Sequence, residues 1–104
     1  MSQAVATKLL QDNYTASGGA NAGALPWAAI IQAILTLLPQ VCPPKTAKRW
    51  VKNHPEAAKE AIRHALESDA VTSTVSHEDR DIVVDSAYDS FLLMSADEIR
   101  AAKA

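Results

Sequence analysis

Trp27-Ala-Ala-Ile-Ile-Gln-Ala-Ile-Leu-Thr-Leu-Leu38, held between Pro26 and Pro39, is the stretch on which the reading of this 104-residue chain turns. At 100° per residue, Trp27, Ile30, Ile31, Ile34, Leu35, Leu37 and Leu38 fall within about 160° of arc, the pattern of a helix facing a core. The prolines set its ends, because Pro cannot donate a backbone N–H and disfavours a helical residue before it. Twelve residues rise about 18 Å, against about 30 Å of bilayer hydrocarbon, so no membrane crossing is expected.

The other side of this helix carries Ala28, Ala29, Gln32, Ala33 and Thr36 and no charge. The outer face of a helix on a soluble monomer ordinarily carries Lys or Glu. Ala29 and Ala33 let a second backbone approach closely, and Gln32 and Thr36 can hydrogen-bond across such a contact. Three uses follow: a central helix buried on every side, a docking face (Ala29, Gln32, Ala33, Thr36) for another subunit, or attachment of residues 27–38 to a membrane surface.

Outward from this element the periodicity remains helical. Ser2 is placed to cap a first short helix with Val5, Ala6, Leu9 and Leu10 on one face, and residues 15–23, rich in Gly, Ser, Ala and Asn, read as a loop. Toward the C-terminus, Pro44 suits the first turn of a helix running to about Lys52, and Asn53-His54-Pro55 breaks it and starts another, Glu56 to Ser68. Residues 69–75 are a connector, briefly extended at Val71, Thr72, Thr74 and Val75. Ser76 with Asp79 is a capping-box variant opening a long helix to about Met94, and Ser95 with Glu98 is a second box opening a last helix, Ala96 to Lys103. The expectation is an all-α fold: a single domain over 1–104, a compact bundle of about five helices.

Charge is distributed in blocks. Residues 13–44 contain no Asp, Glu, Lys, Arg or His; residues 43–64 carry six basic and two acidic side chains; residues 65–99 carry nine acidic side chains and only Arg80. Within these blocks Lys45, Lys48, Arg49 and Lys52 share one side of their helix, opposite Ala47, Trp50 and Val51. Glu78, Asp81, Asp85 and Asp89 line another, opposite Val83, Val84, Ala87, Phe91 and Met94. Like charges at these spacings repel by roughly 0.2–0.5 kcal/mol per pair, so each stripe calls for solvent, salt or a counter-charge. The two stripes are natural counterparts, across the bundle or between molecules. Ile82, Leu92 and Leu93 fall outside the main apolar arc and need a second cover, which the 95–104 helix is placed to give.

Signs of chemistry are sparse. The glycines form no phosphate-cradling signature, and His54, His64 and His77 stand in no zinc-binding spacing. His77, Asp81 and Asp85 are close enough along a helix for a weak divalent site, though an exposed first-turn His is the simpler reading; His64 pairs with Glu60 at i,i+4. Cys42, between Val41 and Pro43, has no neighbouring base to activate it and reads as a small buried residue. No metal, cofactor or catalytic set is expected. With one Cys no intrachain disulfide can form, which favours a reducing compartment, and Met1 to Tyr14 lack the pattern of a secretory signal. The functional expectation is a non-catalytic protein–protein contact or assembly subunit, alone or in a larger particle. Nucleic-acid binding through the basic helix 45–52 is the alternative, weakened by the placing of Trp50 away from the cations and by a net charge of −2.

Overall fold

The computed structural model describes residues 2–20, 22–37 and 44–95. Five α-helices are present among them: α1 (Ser2–Ala16), α2 (Trp27–Leu37), α3 (Pro44–Asn53), α4 (Pro55–Ser68) and α5 (His77–Leu93), with single 3-10 turns at Ala22–Ala24 and Thr72–Thr74. Helices α1, α5, α4 and α2 form a closed ring in which each packs on the next and α2 returns to α1, while α3 lies across α4 and α5. The all-α expectation holds. The helix expected over 96–103 and Cys42 lie outside the described residues.

Local chemistry explains most of the boundaries. Pro44 and Pro55 occupy first-turn positions, where a missing N–H breaks no helical bond. Ser76 caps α5 by accepting from the Asp79 N–H at 3.3 Å, as the capping-box reading required. The end of α1 differs from expectation, because Thr15 and Ala16 belong to the helix rather than to the loop. Gly18 stops it in the left-handed region at φ 95°, with Gly19 N–H donating to Tyr14 O and Gly18 N–H to Thr15 O. This crossed pair is a Schellman closure, which satisfies carbonyls that a helix otherwise leaves open. In the connector 69–75, Val75 is extended as expected, but Val71 is helical and Thr72–Thr74 form the 3-10 turn. Asp69 Oδ1 accepts from the N–H groups of Val71 (2.8 Å) and Thr72 (3.1 Å), and that curl leads into the 3-10 turn.

The core joins Ala6, Leu10 and Tyr14 of α1, Trp27, Ile30, Ile31, Ile34 and Leu35 of α2, Ala47 and Val51 of α3, Ala58, Ile62 and Leu66 of α4, and the inner face of α5. The α1 stripe is rotated from the expected one: Val5 is half exposed and Tyr14 is wholly buried. The helix with the widest buried face is α5, not α2. Arg80, Val83, Val84, Ser86, Ala87, Tyr88, Ser90 and Phe91 are all buried, an arc of about 200° at 100° per residue. Its two serines manage this because each donates to the carbonyl one turn back, Ser86 to Ile82 at 2.7 Å and Ser90 to Ser86 at 2.6 Å. A buried hydroxyl with its hydrogen bond made behaves as a small core residue.

Candidate protein-contact surfaces

Of the three uses open to α2, burial on every side is excluded. Its large side chains enter the core, but Ala28 and Gln32 are exposed, and Ala29 and Ala33 are only half-buried. The uncharged flank therefore lies on the surface of the single chain. The Thr36 side chain, expected on the same flank, is outside the described ones. Trp27 fixes the N-terminal end of this helix: its indole N–H donates to Ala22 O and its ring meets Tyr14 edge-on at 5.3 Å.

Within the chain no described ion pair joins the two charged stripes, the first of the two pairings the sequence suggested. Opposite the acids stands α4, whose Lys59 reaches Asp85 at 3.3 Å and whose Arg63 reaches Asp81 at 3.4 Å. The two cations are four residues apart on α4 and the two acids four apart on α5, matched in opposite chain directions as antiparallel neighbours require. Arg63 also takes Glu60 at 3.1 Å, the partner expected for His64. Glu78 and Asp89 are exposed and make no ion pair with a described residue.

The basic stripe of α3 is divided. Lys48 donates to Met94 O at 2.8 Å, placing a cation at the C-terminal end of α5, which has no basic residue in its own last turn and whose dipole favours positive charge there. Arg49 and Lys52 are exposed and meet no described anion; the Lys45 side chain is outside the described ones. Trp50 is not covered with Ala47 and Val51 but is 41% exposed, its ring stacked on His54 at 5.0 Å and 20°.

Several polar side chains that periodicity passed over hold the loops. The Tyr14 hydroxyl lies 3.1 Å from Ala20 O and 3.2 Å from an Asp79 carboxylate oxygen. Burial, then the Asp79 charge and hydrogen bond, push its pKa above the usual tyrosine value. Arg80, buried, donates to Ser73 O and Val75 O at 3.2 and 3.1 Å, stapling the connector to α5. Thr72 donates to Leu66 O and Asn13 to Ser90 Oγ. Only Arg80 had a visible sequence signal, as the lone cation in an acidic block; the others depend on long-range register.

These networks tie the connecting loops to the helices. A shallow apolar cleft among Ala6, Leu10, Ile31, Leu35, Phe91 and Met94 has room of about 20 Å³, enough for about one water molecule. Leu93 is 66% exposed, whereas Ile82 and Leu92 are half-buried against the core. Among the described residues no group of three or more His, Cys, Asp or Glu is arranged to hold a metal ion. No described helix is long and apolar enough to cross a membrane. No protein-family model, curated protein or solved structure matches the chain.

Proposed function

We propose that this protein is a non-catalytic assembly subunit that joins other protein through the uncharged flank of α2, with a second copy of itself as the first partner. The observation that carries the reading is the surface position of Ala28, Ala29, Gln32 and Ala33 on a helix with no charged side chain over its whole length. Small side chains set helix separation toward the low end of the roughly 8–10 Å range, and a face of this kind can close on itself about a two-fold axis. Membrane attachment through residues 27–38 is the weaker use of the segment, since Trp27, Ile30, Ile31, Ile34 and Leu35 are buried in the core and would have to leave it.

The test is solution mass by light scattering, comparing the parent chain with Gln32→Glu and Ala28→Glu. Both positions are exposed in the single chain, so the variants keep their helicity by circular dichroism. The reading expects their mass to fall toward that of one chain while the parent forms a larger species. Unchanged mass in both variants contradicts it.

A further inference from the structure

Every Lys and Arg with a described side chain, except Arg49 and Lys52, has an acceptor inside the chain. Lys8 meets Asp12, Lys59 meets Asp85, Arg63 meets Glu60 and Asp81, Arg80 meets Glu67 and two carbonyls, and Lys48 holds Met94 O. The two exceptions are exposed on α3, a helix with no acidic residue. Helix geometry sets them about 60° apart around the axis and about 4.5 Å apart along it. On α5 the exposed Asp89 makes no ion pair with a described residue. Asp85, one turn before it, keeps 59% of its side chain exposed beside Lys59. These two acids stand about 40° apart around their axis and about 6 Å apart along it. We infer that Arg49 and Lys52 of one copy meet Asp85 and Asp89 of another, a second self-contact that carries assembly past the pair joined through α2.

This contact rests on the α2 reading for the first pairing of copies, and it uses a different part of the molecule. In the ring of helices α2 packs on α1 and α4, so it stands across from α5 rather than beside it. A copy docked on the outer flank of α2 therefore leaves the acids of α5 open. The cations sit on α3, which packs on α4 and α5. A subunit with two separate self-contacts grows beyond a pair, whereas a single two-fold contact closes at the pair.

Charge complementarity makes a second copy the occupant. One chain carries both halves, a cation pair with no internal counter-ion and an acid pair of similar spacing answered only by Lys59. Exposed ion pairs are individually weak, so this contact holds little in a lone chain. Two copies already joined through α2 present it twice, which raises its effective strength. Charged contacts of this kind also fix register between partners. Glu78 shares the stripe but lies about 16 Å along α5 from Asp89, outside the contact.

The experiment is sedimentation of the full chain at about 10 mM salt, where charges are screened over about 30 Å, and at about 1 M, where the length is about 3 Å. Expected are species larger than two chains at low salt and two chains at high salt. In Arg49→Glu or in Asp89→Lys, growth past two chains requires about tenfold higher concentration or more, because like charges then face each other. An equimolar mixture of these two variants grows again, since Glu at 49 then meets Lys at 89. Glu78→Lys makes the same charge change outside the contact and keeps the parent's size. Arg49→Gln and Asp89→Asn are the milder variants should a reversal lower helicity by circular dichroism. Growth that stops at two chains in low salt overturns the α3–α5 contact and leaves the α2 reading standing; a single chain at every concentration overturns both. Growth unchanged by salt and by both variants, no recovery on mixing, or equal loss in Glu78→Lys also overturns the contact.

Discussion

At the scale of single residues, two backbone-shaping positions decide how helices end. Gly18 sits at φ 95° with open space around its missing Cβ, so only backbone conformation resists a side chain there. Gly18→Ala is expected to cost about 1–2 kcal/mol, the penalty of a left-handed L-residue, measured as a lower urea midpoint with an unchanged slope. Asp69 is the second position. Hydrogen bonds from the Thr72 and Val71 N–H groups hold its carboxyl below the usual aspartate pKa. A group whose pKa is lower in the folded state stabilises the fold above its unfolded pKa, and the contribution is lost as pH falls through the folded one. The stability difference between the parent and Asp69→Asn therefore narrows as pH drops below the ordinary aspartate range. A difference that stays constant across that window removes the charge from the account.

At the scale of elements, the pairing of α4 with α5 shows what periodicity could and could not reveal. The helices themselves were legible because prolines, caps and apolar spacing are local signals; Pro55, Ser76 and the Ile30–Leu35 run each act within one turn. The partner of the acidic stripe was not, since whether Asp85 meets Lys59 or a cation of α3 depends on how helices distant in sequence cross. The depth of α5 was hidden for a related reason: Ser86 and Ser90 look like surface residues until their hydroxyls are seen bonded to carbonyls one turn back. Trp50 was misplaced because a wheel gives direction along one helix but not where the covering helices stop. Among the candidate sites, the α2 flank was legible because a missing charge is visible in any sequence, whereas the division of the α3 cations needed the position of Met94 O. Lys59 and Asp85 remain partly exposed, so a double-mutant cycle to Ala is expected to return a coupling of about 0.2–1 kcal/mol. That coupling shrinks in high salt; a salt-independent value contradicts a solvated pair.

At the scale of the whole molecule, the fold leaves surfaces of different chemistry on different helices: an uncharged alanine-lined flank on α2, exposed Arg49, Lys52 and Trp50 at separate positions around α3, and acidic positions on α5 that α4 answers only in part. The core involves all five helices, so substitutions on these outer faces are expected to alter association while leaving helicity in place. That separation is what an assembly subunit requires, because its contacts must form without rebuilding the fold. The most direct measurement is the solution mass of the unmodified chain over a wide range of concentrations by light scattering or sedimentation. The account predicts a mass that rises with concentration above the 11.1 kDa of one chain; a single species of that mass at every concentration contradicts self-assembly through α2.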